Sequence, residues 1–313
     1  MTTRHNREAI SDSANPLGLD GIEYIEYATN KPQALGQVLE MMGFRPIARH
    51  RSREVTLYHQ GRMNIIVNAH VSDLPRAVQP AETPVISALA LRVRSAAAAY
   101  HYVIEQGAWA APTRVEVMEL NIPAVHGAGD SRIYFVDRYQ DFSIYDVDFT
   151  LIPAVDPYPP ALAGMRFFGV VQYIGANRME DWMEFYARLF AFRPLPDGER
   201  FGIMPKGRVL RSPCGSFYLQ LIGPDSDVGP NAGGEDAWNA GGEDAWNEAE
   251  GAELLQRVGF GVPDVPAAVA ALRARGLSFV SAGDYQTNAR GALTQRYLGG
   301  LMFEIVHDER HGL

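Results

Sequence analysis

One cysteine stands in the 313 residues, Cys214. A lone thiol excludes an internal disulfide and every zinc site built on several thiolates. It sits in "SPCGS", a turn signal with no histidine close by in sequence, so a structural role is expected for it. Long apolar runs are lacking too. No stretch reaches the roughly 18 residues a membrane helix needs, and the start "MTTRHNREAISDSANPLG" has no apolar segment of the leader type. A cytoplasmic protein with no membrane partner is the expectation. There is no block of Lys or Arg, and the net charge is -9, which argues against nucleic acid as a partner.

What is present is apolar material, 47% of the chain, enough for two domains. Compared with itself, the chain repeats a plan. "GIEYIEYATNKPQALGQVLEMMGF" reads as a strand, an amphipathic helix and Gly-Phe, and "RFFGVVQYIGANRMEDWMEFYARLFAF" repeats it. "ALALRVRSAAAAYHYVIEQGA" and "GFGVPDVPAAVAALRARGL" each give a strand, a short Ala-rich helix and a closing glycine, Gly107 and Gly276. β-rich stretches fill the spaces between these four units. The expected fold class is therefore α+β, with paired βαβββ modules in two similar domains, each an open half-barrel of mixed sheet.

Four prolines in "LIPAVDPYPPALAG" mark the link between the halves. The expected division is a disordered tail at 1–16, a domain at 17–152, a linker at 153–165 and a second domain at 166–313. A tandem copy of "NAGGEDAW" in the second half reads as a tolerated surface insertion.

The end of the chain, "LMFEIVHDERHGL", places one carboxylate, Glu304, in a strand ahead of His307 and His311. Side chains alternate along a strand, so Glu304 shares its face with Met302 and Val306 while His307 points to the other side. His307 is expected at the surface. His59 and His126, alone in N-terminal strand and loop contexts, are expected to be structural.

Longer phrases carry a resemblance. "NPLGLDGIEYIEYA", "RHRSREVTLYHQGRMNIIVNA" and "ELNIPAVHGAGDSRIYFVDRY" resemble the N-terminal domain of bacterial 4-hydroxyphenylpyruvate dioxygenases, and "NRMEDWMEFYARLFAF", "RSPCGS", "ALRARG" and "LMFEIV" resemble their catalytic domain. The resemblance implies the vicinal oxygen chelate fold, a structural N-terminal half and an active-site cup in the C-terminal half. It further implies an oligomer, as family members commonly are. It places the family's two histidines and one glutamate, which hold Fe(II), at Gly169, Arg257 and Glu304. Only the last of these can donate to a metal, because an arginine guanidinium stays protonated. At an assumed 4 Å and an effective dielectric near 20, repulsion between Arg257 and a divalent ion would be about 8 kcal/mol. By the same comparison the pocket includes Gln220, Ile222 and Gln295, with Tyr173 on the face of Gly169. The covering helix that ends the family's catalytic domain has almost no counterpart, so an open cup is expected. In the N-terminal half the positions equivalent by repeat are read as Tyr24, Ala88 and Tyr145, which cannot assemble an iron triad.

These readings lead to a protein without a metal cofactor that binds a small aromatic or oxo-acid ligand. If catalytic, it is expected to act as a lyase or isomerase with Glu304 as acid/base and Arg257 as clamp. A non-catalytic binding protein and an Fe(II) dioxygenase with an altered metal site are the alternatives.

Overall fold

The computed structural model describes residues 14–70, 83–112, 119–140, 142–196, 202–203, 206–224, 253–281 and 286–310. Residues 1–13 of the expected tail, the duplicated "NAGGEDAW" segment and His311 lie outside the described residues. The remainder of that tail is ordered. Asn15 is buried, with its side chain donating to Leu19 O at 2.9 Å and accepting from Leu19 N at 2.8 Å.

Two mixed sheets form, one from each half. The first has eight strands, among them β1 (Ile22–Ala28), β2 (Arg45–His50), β3 (Val55–Gln60), β6 (Ala124–His126) and β8 (Phe149–Leu151), in the order β6-β7-β5-β1-β4-β3-β2-β8. The second has seven, among them β9 (Arg166–Tyr173), β10 (Arg193–Pro194), β11 (Arg208–Arg211) and β15 (Phe303–His307), in the order β10-β11-β12-β9-β13-β15-β14. Their centres are built alike. β1 runs parallel to β4 (Met63–Asn68) and antiparallel to β5 (Val85–Arg92), which is parallel to β7 (Arg132–Val136). β9 repeats this with β12 (Tyr218–Ile222) and β13 (Leu254–Val262), and β13 runs parallel to β15. The α+β vicinal oxygen chelate fold is thus present twice.

Local chemistry explains the repeated helices. α2 (Ala96–Glu105) is capped by Ser95, whose hydroxyl accepts from Ala98 N, and α5 (Val265–Ala274) by Asp264, which accepts from Ala267 N. Gly107 and Gly276 then adopt φ of +96° and +98°, where a side chain is strained. In α4 (Met179–Phe190) the residues Trp182, Tyr186, Leu189 and Phe190 form one buried stripe at helical spacing.

Each sheet turns one face to a shared core. Phe44 meets Phe260 at 5.9 Å between ring centroids, Phe135 stacks on Phe190 at 6.2 Å, and Tyr27 meets Phe303 edge-on at 6.4 Å. The opposite face of each sheet forms a cup. Register corrects the repeat reading in the first half. Glu304 pairs with Gly259 and Gly259 with Gly169, while Tyr134 pairs with Ala90 and Ala90 with Tyr24. The counterpart of Glu304 is therefore Tyr134. Tyr145 lies on the short helix α3 (Tyr145–Asp148), beyond the strand.

Candidate functional site in the C-terminal cup

Tyr218, Gly169, Gly259 and Glu304 stand side by side on β12, β9, β13 and β15. The two glycines leave the middle of this row without side chains, so Glu304 and the Tyr218 ring face one another across it. A Cβ built on Gly169 would come 2.6 Å from Tyr218 O, a backbone atom that cannot swing aside. Gly169 is thus fixed as glycine by packing as well as lacking a donor.

Glu304 is 4% exposed and lies against Arg257, which is 2% exposed. Arg257 Nε is 3.4 Å from Glu304 Oε2, and Ile203 N donates to Oε1 at 3.2 Å. The approach of the Ile203 segment depends on Gly202, where φ is +63° and an added Cβ would fall 1.9 Å from Glu304 Oε1. Arg257 is incompletely satisfied. Its Nη1 reaches Gln256 Oε1 only at 3.4 Å, and its buried Nη2 has no partner among the described residues. Such a cation is costly to bury, so its hold on Glu304 is not surplus.

The cup holds a half-open cavity of about 30 Å³, lined by Glu304, Gln220, Tyr218, Phe168, Val306 and the two glycines among others. That is room for one water-sized group. An aromatic pair with a cation over it forms one side of the cup. Phe168 and Tyr218 pack at 5.0 Å, and Arg310 lies over both rings, 5.4 Å and 4.7 Å from their centroids. Arg310 is itself held by Asp308, at 2.9 Å, and by Gly215 O.

The sequence-derived residues therefore separate. Glu304 and Gln220 line the cavity, with Gln220 Nε2 donating to Lys206 O at 2.7 Å. Arg257 reaches Glu304 but is not part of the lining. Tyr173 sits at the far end of β9, outside the lining, since the chosen parity continues two residues past Val171. Gln295 is exposed: β14 (Gly291–Leu293) ends before it, and its backbone turns to bond Ser278 O. It is not a cup residue. Ile222 is buried and does not line the cavity. His307 is at the surface, its side chain 40% exposed, and Cys214 sits in a turn beside the Ser212 and Ser216 hydroxyls at 3.3 and 3.1 Å. His59 bonds Asn64 Oδ1 at 2.7 Å.

Sequence reasoning missed Gly202, Ile203, Phe168 and Arg310. Only Arg310 left a legible trace, as a cation near a buried acidic residue two positions earlier. Among the described residues no group of three or more His, Cys, Asp or Glu could hold a metal ion, and no helix is long and apolar enough to cross a membrane.

Comparison with known proteins agrees with this architecture. The family described as hydroxyphenylpyruvate dioxygenase, HPPD, N-terminal, matches residues 13–150. A 4-hydroxyphenylpyruvate dioxygenase of Pseudomonas aeruginosa is 31% identical over 288 residues, 89% of this chain and 76% of that protein. The hemolysin VllY of Vibrio vulnificus is 32% identical over 282 residues, 87% of this chain and 75% of that protein. A mutant of 4-hydroxymandelate synthase from Streptomyces coelicolor superposes with a TM-score of 0.71 at 19% identity, over 93% of both chains. With its phrases, its doubled βαβββ plan and two relatives matched over three quarters of their length in accord, the chain belongs to the 4-hydroxyphenylpyruvate dioxygenase-like family of the vicinal oxygen chelate superfamily.

Proposed function

We propose that the chain is a metal-independent member of this family that binds a small aromatic or oxo-acid ligand at the C-terminal cup and uses Glu304 to move a proton. The observation that carries this reading is that Glu304 is the one carboxylate among the residues lining the cavity, buried and held by a peptide N–H and a guanidinium. The family's Fe(II) does not fit here. Gly169 supplies no donor and has no room for one, and Arg257 brings a cation to the remaining carboxylate.

In this reading Glu304 removes a proton from the carbon beside a ligand carbonyl. The electron pair shifts to the carbonyl oxygen as the enol or enolate forms. Return of the proton to carbon regenerates the oxo acid, and loss of a group from the neighbouring carbon would give a lyase product. Arg257 acts through Glu304, keeping its carboxylate oriented, and does not touch the ligand.

Deuterium exchange into the methylene of 4-hydroxyphenylpyruvate and phenylpyruvate, followed by proton NMR in the presence of a chelator, tests the proposal. Exchange above the solvent rate that disappears in Glu304→Gln is expected. Iron-dependent oxygen uptake, or exchange equal in both proteins, would overturn it. The narrowness of the cavity favours a second reading, capture without turnover. There the oxo acid binds equally to wild type and Glu304→Gln and exchanges in neither.

A further inference from the structure

The first sheet carries a cup of its own, about 150 Å³. An engineered cavity of roughly that volume takes up benzene. Its floor follows from register. Glu26, Ala88 and Arg132 form one row across β1, β5 and β7, and Tyr24, Ala90 and Tyr134 form the next. Alanine fills little of the space above the middle strand. Side chains of β1 and β7 therefore face each other over a gap of two strand spacings, about 10 Å between backbones. The rings of Tyr24 and Tyr134 stand 6.2 Å apart at one end, and Ile66 and Phe149 supply apolar wall.

The charges of this cup are unevenly matched. Arg53 is paired with Glu119 at 2.5 Å, and Asp148 accepts from Leu120 N at 3.2 Å. Arg132 has no carboxylate in salt-bridge range among the described residues. Its Nη1 donates to the Tyr134 hydroxyl at 3.3 Å, while its Nε, though buried, has no acceptor among the described residues. A guanidinium with an unmet buried donor suits a planar carboxylate. Across the gap, Glu26 Oε1 accepts from Ser87 Oγ at 2.7 Å and Asn68 Nδ2 at 3.2 Å. Its Oε2 has no partner among the described residues and can accept from a ligand hydroxyl. The tyrosines remain neutral beside it. Burial, then the neighbouring Tyr134 and Glu26, raise the Tyr24 pKa, and burial followed by Glu26 raises that of Tyr134.

We infer that the N-terminal cup binds a small hydroxylated aromatic monocarboxylate, with its carboxylate on Arg132, its ring over Ala88 and Ala90 beside the tyrosines, and its hydroxyl donating to Glu26. This site is separate from the C-terminal cup, and the two assignments stand or fall independently. It gives the half expected to be purely structural a ligand of its own.

Calorimetric titration of the whole chain with 4-hydroxybenzoate tests the assignment, with benzoate and 4-hydroxybenzyl alcohol as probes that lack one end each. Binding with a Kd of about 1 mM or tighter is expected. Arg132→Gln should weaken 4-hydroxybenzoate by about tenfold or more yet leave the alcohol unchanged, since only the acid uses the charged bond. Glu26→Gln should weaken 4-hydroxybenzoate more than benzoate. If Arg132→Gln does not fold, Arg132→Lys keeps the charge without the fork and should cost about threefold. Absence of binding to about 10 mM probe, or unchanged affinity in the Arg132 variants, would each overturn the inference.

Discussion

Arg257 and Glu304 lie buried on adjacent strands with a single long contact, Nε to Oε2 at 3.4 Å. Neither can reach bulk water, so removing one leaves the other's charge uncompensated. Arg257→Leu or Glu304→Gln alone is expected to lose about 3 kcal/mol of unfolding free energy, while Arg257→Leu with Glu304→Leu should lose less than either. Urea denaturation of the three variants measures this, and additive losses would show that the two charges are independent.

Gly202 is held in the left-handed region with no space for a Cβ beside Glu304. Gly202→Ala should therefore destabilise by about 2 kcal/mol or more, through both backbone strain and displacement of the carboxylate. Gly276→Ala is the comparison. Its φ is also positive, but its nearest neighbour is the flexible Met41 side chain at 3.3 Å, so a loss nearer 1 kcal/mol is expected from thermal denaturation.

Asp308 gives the stability a pH dependence. Burial acts to raise its pKa, but the hydrogen bonds and charge of Arg310, with the charge of Arg166, outweigh it, so the folded-state value lies below normal. A depressed carboxyl stabilises the fold above its unfolded pKa of about 3.9, and that contribution disappears as pH falls through the lower folded value. Asp308→Asn should be less stable than wild type at neutral pH, and the difference should shrink in the acid range. A gap that stays constant down to acid pH would show that the ion pairs contribute nothing.

Anaerobic incubation with Fe(II), followed by desalting and metal analysis, should leave far less than one iron per chain. The cation of Arg257 opposes binding and Gly169 offers no replacement ligand. Stoichiometric iron lost in Glu304→Gln would instead put a metal in the cup.

Much of this architecture is visible in the one-dimensional pattern. The Ala-rich helices with their Ser95 and Asp264 caps and closing glycines announce themselves locally, and alternation along "FEIV" points Glu304 inward. Gln295 misled because it was carried over from the family resemblance, whereas here β14 stops two residues earlier and Gln295 is exposed. Tyr145 misled because the repeat is offset by the short helix after β7. The aromatic rim of the C-terminal cup was not legible at all. It depends on Arg310 crossing to Phe168 and Tyr218, which are distant in sequence. The first-half cup was hidden for a related reason: Glu26 and Arg132 face each other only through the register of a third strand.

The aromatic seam formed by Phe44–Phe260, Phe135–Phe190 and Tyr27–Phe303 makes each half the other's solvent shield. A chain severed at the proline-rich crossing would bare two greasy surfaces, so its fragments should find each other again or precipitate. Duplication here produced a molecule whose halves diversified on their outer faces while remaining mutually dependent along the inner ones.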